Sequence, residues 1–547
     1  MIPGTPNDRF VAIAESLKPT LNTTKSSPIG LIKCVADEKA ILGWTAEDAG
    51  KSEEVKSLRD GDEIIFDFGT HRAGFFEFDI DAVLTGVEPA DAPVRLKIIF
   101  GEVLNDVAES FDDYKAWISK SWLPDEIINI DYLPALKYRM RRRHAFRYIK
   151  IQVISTSLRF GVKFSNPTAY AVSSAPVEDP APLSFTNAGD WLSEDEKTKL
   201  RKIDEVSLRT LRNCMHTVYE DGPRRDMRLW IGDLRLQALC SYATFKDYSL
   251  AKRCMYLFAG LPFNDEGLLC ACVYEKPVPK FGGNSIVDYA MLFAVTLLDY
   301  VKASGDIECG KELFPIAAKQ FSFFAKNFTQ DLRYTIPERN MSDGGEGWHF
   351  VDCESVLRDT LFSIRLTLNL VGQLTLDKES SEHAIMIYCL KATQELAELL
   401  NLDAPAFILP DSTSSVPVTT IIEKLTNAHR QHYFDANRGV FVSGQDKQVS
   451  WAANAWAVLA GVPESKEAAA KAMQVTYEME GAIMGMTPYL HHYLCEALVA
   501  VGLDKLAVKH IIDYWGSMVD AGAETFWEGW DPKQPRSSPY GDLHSNS

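Results

Sequence analysis

The hydrophobic period of this chain changes once, near residue 180, and that change limits its fold more than any other feature. Upstream, "VRLKIIFGE" alternates Val94, Leu96, Ile98 and Phe100 with more polar neighbours, and "FFEFDI" (75 to 80) and "IKIQV" (149 to 153) do the same. A period of two turns one strand face to a core, so these segments are half-buried strands. The Gly, Pro and Asp-rich turns between them favour an antiparallel sandwich or related β-domain. Downstream, "KLRKIDEVSLRTLRNCM" places Leu200, Ile203, Val206, Leu211 and Cys214 at close to helical spacing. "DYAMLFAVTLLDYVKASGD" (288 to 306) predicts an inward-facing helix closed by Gly305. Further helical segments fit 310 to 327, 353 to 375, 382 to 401, 416 to 430, 450 to 460, 465 to 477, 488 to 501 and 505 to 520. "SSAPVEDPAPLSF" (173 to 185) is the natural boundary. The expected chain is therefore α+β and multidomain: a β-domain over 1–185, then a helical domain over 186–547 whose stacked hairpins close into an α/α barrel. Loops at one end of such a toroid build a cleft.

A net charge of -18 repels phosphate backbones and anionic headgroups, so neither nucleic acid nor a membrane surface is an expected partner. The one dense basic run, "YRMRRRHAFRYIK" (138 to 150), passes into a strand pattern and reads as a solvated strand edge. No stretch has the length of apolar sequence that crosses a membrane, and the first residues lack a secretory pattern. Ten Cys without regular spacing, Cys270 and Cys272 the closest pair, read as buried reduced thiols. The cytoplasm is the expected location; sequons at Asn22, Asn327 and Asn340 keep open a secreted precursor whose leader is missing. There is no phosphate-cradling Gly-rich loop, no nucleophile elbow and no His-rich metal motif, so neither cofactor nor metal is expected.

Chemistry concentrates in two places. "YEDGPRRDMRLWIGDLRLQ" (219 to 237) gathers Asp221, Asp226 and Asp233 with Trp230 and several Arg beside a turn forced by Gly222 and Pro223. "AGAETFWEGWDPKQPRSSPYGDLHSNS" sets Glu524, Glu528 and Asp531 among Phe526, Trp527 and Trp530, with too many Gly and Pro for a regular helix. Cleaving a glycosidic bond needs a proton donor, a second carboxylate that activates water or attacks the sugar, and an apolar platform for the ring. The plain structural readings are an Arg/Asp network knitting a helix entrance and core Trp with incidental acids.

Together, "DGPRRDMRLWIGD" and "GAETFWEGWD" resemble the signature pair of the glycoside hydrolase family 78 α-L-rhamnosidases, D-x-P-x-R-D-E-R-L-G-W-x-G-D followed hundreds of residues later by G-A-x-T-x-W-E. The resemblance covers roughly residues 60 to 547. It implies an α/α six-hairpin barrel, an inverting mechanism and an exo-acting site for terminal α-L-rhamnose. Carried over by residue, Asp221 and Asp233 match the sugar-binding acids, Arg225 and Trp230 the motif Arg and Trp, and Glu528 the general base. Aligned on R-D-x-R-L, the general acid's position holds Met227, which has no proton to give; aligned backward from Asp233, it holds Asp226. Asp226 is the expected acid, one methylene shorter than the family's Glu. Relatives continue past an N-S step into a sugar-contacting His and a last barrel helix. Here the sequence stops at Asn546 and Ser547, so either it is cut short of them, or the barrel is incomplete and His544 serves instead. Trp348, Trp527 and Trp530 complete the expected substrate-binding set.

The expected function is that of an inverting exo-glycoside hydrolase acting on a terminal α-L-rhamnosyl or similar deoxyhexosyl group, its partner a carbohydrate or glycoside; oligomeric state is left open. One alternative is a rhamnosyl-glucuronate lyase, with Arg224, Arg225 or Arg228 neutralising the uronate and Tyr540 or His544 taking the C5 proton. The other is an inactive carbohydrate-binding relative.

Overall fold

The computed structural model describes residues 5–51, 57–84, 94–110, 112, 120–131, 136–156, 160–185, 191–264, 266–282, 285–321, 327–336, 349–352, 377–408 and 414–533. The chain divides into two compact units, one of Met1–Pro19, Val218–Asp221 and Arg228–Asp513, the other of Thr20–Thr217, Gly222–Met227 and Tyr514–Ser547.

The second unit is built on antiparallel strands: β1 (Asn22–Ser26), β2 (Gly30–Ala36), β3 (Trp44–Gly50), β4 (Glu63–Leu84), β5 (Val94–Gly101), β6 (Asp125–Ile130), β7 (Leu136–Arg139), β8 (His144–Ser155) and β9 (Phe160–Ser173). The main path runs β1-β9-β4-β8-β5-β6, while β2 and β7 also pair with β4. The antiparallel β-domain is as expected, but its strands form one continuous hydrogen-bonded sheet, in which the long β4 serves two sets of neighbours, and not two separate sheets. Its first half pairs with β8 from Glu63 to Asp67, and its second half with β9 from Gly74 to Leu84. Gly74 sits where both meet, and a Cβ there would lie 2.1 Å from the Tyr170 carbonyl oxygen, so no larger residue fits.

Alternation along these strands sends Phe66, Phe76, Phe78, Leu96, Ile98, Phe100, Phe146, Ile149 and Ile151 into one core. The opposite face of β5 is less polar than a half-buried strand requires. Ile65, Ile99, Val107 and Tyr148 form a second cluster there, with Val107 supplied by the short helix Leu104–Ala108. The basic run enters β8, which lies between β4 and β5. The run's second half is therefore interior and not the solvated edge expected, Arg147 pairing with Asp67 at 3.0 Å through both guanidinium nitrogens it uses, whereas Arg139, Arg141 and Arg142 in its first half are exposed as expected. The helix Glu194–Cys214 belongs to this unit and starts at a reciprocal box between Ser193 and Glu196.

The first unit is helical. Val287–Ser304 ends at Gly305, whose φ of 73° is the left-handed stop that the sequence predicts. It packs on Ile231–Ala243, Ile307–Lys319 and Glu379–Leu400; the last of these also carries Val418–Tyr433 and Trp451–Leu459, and Trp451–Leu459 packs on Lys466–Glu478 and Pro488–Ala500. Predicted segment 353 to 375 lies outside the described residues. Two helices were not anticipated. Asp8–Ser16, capped by Asn7, lies on Ser249–Gly260 with Phe10 edge-on to Tyr256 at 5.5 Å. Buried Arg253 joins them, paired with Glu15 at 3.3 Å and Glu275 at 2.8 Å. The described cysteines are free thiols, and no described helix is long and apolar enough to cross a membrane.

Candidate active site

The stretch 219 to 237 is shared between the units, residues Gly222–Met227 belonging with the β-sheet and both flanks with the helices. In the helical unit, Asp221 and Arg228 close the neck of that six-residue loop. The Asp221 amide donates to the Arg228 carbonyl at 2.9 Å, and the Arg228 amide donates to Asp221 Oδ1 at 3.0 Å. One oxygen of Asp221 is therefore committed to the backbone. Trp230 ends a two-residue strand and precedes the helix Ile231–Ala243, which carries Asp233 in its first turn. Trp230 is half-buried, and its indole N–H is covered without a hydrogen-bond partner in the protein. Gly232 faces the ring of Tyr289: a Cβ would stand 2.5 Å from it, so the motif glycine permits close helix packing.

In the β-sheet unit the loop itself is strained. Asp226 and Met227 both adopt left-handed backbone conformations, φ 58° and 52°, which side-chain-bearing residues avoid unless their surroundings hold them. The Met227 amide donates to the carbonyls of Arg225 at 2.7 Å and Gly222 at 3.2 Å. Arg225 reaches two acids: Nη1 lies 3.5 Å from Asp226 Oδ1, and Nη2 donates to Glu528 Oε2. Both carboxylates keep a solvent-accessible side, 18% and 27% exposed.

The loop bearing Glu528 is fastened to the helix Glu194–Cys214. The Phe526 amide donates to Thr210 Oγ1 at 3.0 Å, the Thr525 and Thr210 hydroxyls are 3.2 Å apart, and Glu524 pairs with Arg209. Trp527 and Trp530 meet edge to face at 5.0 Å, and the Trp530 indole N–H donates to Ser517 at 2.7 Å. Here the structure corrects the expectation of an aromatic floor. Trp527 is 0% and Trp530 2% exposed, and an indole covered on its faces cannot stack on a sugar. They brace the Glu528 loop from behind. Trp348 and His544, like Glu346 and Tyr540, lie outside the described residues.

Sequence reasoning passed over a buried acid of the helical unit. Asp288, in the first turn of Val287–Ser304, accepts from the amides of Phe350 at 3.0 Å and Val351 at 3.1 Å. Burial, reinforced by the nearby Glu382, pushes its carboxyl up to about 7. Both Glu382 oxygens are buried without a hydrogen bond; His349 Nδ1 stands 3.1 Å from one of them, off the hydrogen-bonding direction. Asp352 accepts from the Met486 amide at 2.8 Å and the Thr487 hydroxyl at 2.5 Å. The residues His349–Asp352 are thus clamped from several sides, Val351 in a left-handed conformation of φ 53°. A carboxylate opening an otherwise apolar helix was the available signal. His491 is buried beside His510.

A strained turn presents one acid, a distant loop presents a second, and one cation meets both, an arrangement open to carbohydrate cleavage; comparison with known families and structures defines the class as glycoside hydrolase. Residues 28–171 match the glycosyl hydrolase family 78 alpha-rhamnosidase N-terminal domain, and residues 191–544 match the bacterial alpha-L-rhamnosidase six-hairpin glycosidase domain. The chain belongs to the glycoside hydrolase family 78 α-L-rhamnosidases. Among solved structures, it is similar to a rhamnosidase from Klebsiella oxytoca with rhamnose bound, at 33% identity and TM-score 0.85 over 100% of this chain and 96% of that one. A family 78 rhamnosidase of Bacillus sp. GL1 shares the fold at 16% identity and TM-score 0.67, over 93% of this chain and 49% of that one. So does a Streptomyces avermitilis α-L-rhamnosidase complexed with L-rhamnose, at 16% and 0.58, over 93% and 45%. Comparison with curated protein sequences gave no match.

Proposed function

We propose that this enzyme removes terminal α-L-rhamnosyl groups with inversion, Asp226 delivering a proton to the leaving oxygen while Glu528 draws one from the attacking water. The observation that carries the reading is the shared grip of Arg225 on both acids, residues 225 and 528 being 303 positions apart. Carboxylates held by neighbouring nitrogens of one guanidinium stand within roughly 8 Å of each other. That bound admits both the about 6.5–9.5 Å of inverting glycosidases and the about 5–5.5 Å of retaining ones, so inversion rests on the family resemblance. One guanidinium balances one carboxylate, so the trio is neutral when one acid is ionised and the other protonated, the state such a pair needs. Asp226 takes the donor's role because Met227 has no exchangeable proton.

Asp221, Asp233 and Trp230 bind the sugar in this reading, the covered indole N–H of Trp230 being suited to a hydroxyl; Trp348 and His544 complete the set. Helical hairpins closing into a six-hairpin toroid over 186–547, a β-domain over 1–185 and a cytoplasmic location belong to the same proposal, the last supported by the free thiols. The lyase alternative loses Arg224, whose guanidinium is sealed inside the protein on two carboxylates and cannot meet a uronate.

The test is the anomer released first from an aryl α-L-rhamnoside, followed by proton NMR. Inversion yields β-L-rhamnose, and Glu528→Gln should remove turnover. An α-first product, or an absorbance rise from an unsaturated uronate on a rhamnosyl-glucuronate, would sink the proposal.

A further inference from the structure

Arg224 stands next to the residue that grips both acids, and it holds two buried acids of the sheet portion of its own unit. Its Nη1 and Nη2 hold Asp106 at 2.8 and 3.0 Å, and Nη1 also reaches Glu102 Oε2 at 3.2 Å. All three side chains are at most 3% exposed. The carboxylates are themselves fixed. Asp106 accepts from the amides of Glu102 at 2.9 Å and Val103 at 3.3 Å, at the start of the helix Leu104–Ala108. Glu102 Oε1 lies 2.9 Å from His71 Nε2, and His71 Nδ1 accepts from the Asn213 amide at 2.9 Å, which leaves Nε2 as the donor to Glu102.

We propose that Arg224 is a positioning residue for catalysis, setting Arg225 and Asp226 by pegging the Gly222–Met227 loop to the buried carboxylates of Glu102 and Asp106; this rests on the reading of Asp226 and Glu528 as the acid pair. The loop needs such a peg. Two consecutive left-handed residues follow Arg225, and a turn of that kind relaxes unless contacts outside it fix it. A planar fork on a carboxylate fixes direction as well as distance, whereas an ammonium would fix distance alone. Two desolvated carboxylates facing one guanidinium hold it firmly, since breaking either contact would leave a buried charge unpaired. The β-domain is thereby part of the catalytic apparatus and not a separable sugar-binding appendage.

The experiment compares wild type, Arg224→Lys, Glu102→Gln, Asp226→Asn and Arg224→Lys/Asp226→Asn on an aryl α-L-rhamnoside, with thermal melts to establish that each is folded. Misplacing a catalytic group by about an ångström costs up to about 100-fold. Arg224→Lys should therefore lower kcat by about 10- to 100-fold with KM changed less than about threefold. Because Arg224 acts through Arg225 and Asp226, the loss in the double variant should be smaller than the two single losses combined. Should Arg224→Lys fail to fold, Glu102→Gln, which keeps the Asp106 fork, carries the test with a smaller loss of kcat in the same pattern. Wild-type kcat in folded Arg224→Lys, or additive losses in the double variant, overturns the inference while leaving the acid pair standing. An inactive wild type, or a fully active Asp226→Asn, overturns the functional reading and this inference with it.

Discussion

Arg225 and Glu528, one from a strained loop in mid-chain and one from a loop near the C-terminus, are joined by a direct ion pair, and the same guanidinium reaches Asp226. The pairing brings the two sequence motifs together, and the proposed acid pair rests on the cation that both share.

Replacing that cation separates two roles. Arg225→Gln leaves two nearby carboxylates with no charge between them, and kcat should fall on the order of 100-fold, while Arg225→Lys, which offers a point charge and not a fork, should fall less. If Arg225 instead binds only the sugar, KM will rise and kcat will hold. Steady-state kinetics of the two variants decides between these outcomes.

A proton donor matters in proportion to how badly the leaving group needs the proton. Asp226→Asn should lose about 10²–10⁴-fold in kcat on an alkyl rhamnoside and much less on a nitrophenyl one, whose oxygen leaves as the anion. Equal losses on both substrates would remove Asp226 from the acid's role.

Asp288 makes stability depend on pH. Its folded value, up to about 7, lies above the unfolded one, so between about pH 4 and 7 the folded state holds a proton that the unfolded state has released, and stability falls as pH rises through that window. The full effect is on the order of 4 kcal/mol. Asp288→Asn cannot ionise, so its melting temperature should lack this decline, whatever its absolute value. An unchanged slope across pH 4 to 7 in that variant refutes the assignment.

His491 and His510 act in the opposite sense. His491 Nε2 lies 3.0 Å from the Gly485 carbonyl, which can only accept; His491 Nδ1 then accepts from His510 Nε2 at 2.6 Å, and His510 Nδ1 accepts from the Tyr477 hydroxyl at 3.0 Å. Both rings are neutral Nε2–H tautomers. Burial holds His510 down to about 4 and His491 well below its usual range, so stability from this pair is complete above about pH 6.5 and is lost as pH falls toward 4. Nitrogen-15 shifts of labelled histidines at pH 7 should show two Nε2–H rings; an Nδ1–H ring or an imidazolium would break the chain of donors.

The helices were legible because their signals are local. The apolar spacing of Val287–Ser304 and the left-handed Gly305 at its end, like the non-helical Gly- and Pro-rich tail around Trp530, depend on neighbours within a few residues. Asp8–Ser16 and Ser249–Gly260 escaped notice because what fixes them is a contact between segments over 200 residues apart, Arg253 with Glu15 being separated by 238. β8 misled for a related reason: its one arginine, Arg147, looks solvated in sequence, and only the strand's place between β4 and β5 shows that Asp67 neutralises it.

From its sequence alone the chain determined its period change, its helix ends and the two acidic, aromatic motifs that mark its family, because backbone propensity and motif chemistry act over short spans. Tertiary structure decided the rest. It turned Trp527 and Trp530 from an expected platform into buried braces, gave Arg224 and Arg225 opposite tasks, and put Arg225 within reach of both Asp226 and Glu528. Burial and charge pairing depend on distances in space, and a residue's neighbours in space are set by the packing of the whole chain, not by its neighbours in sequence.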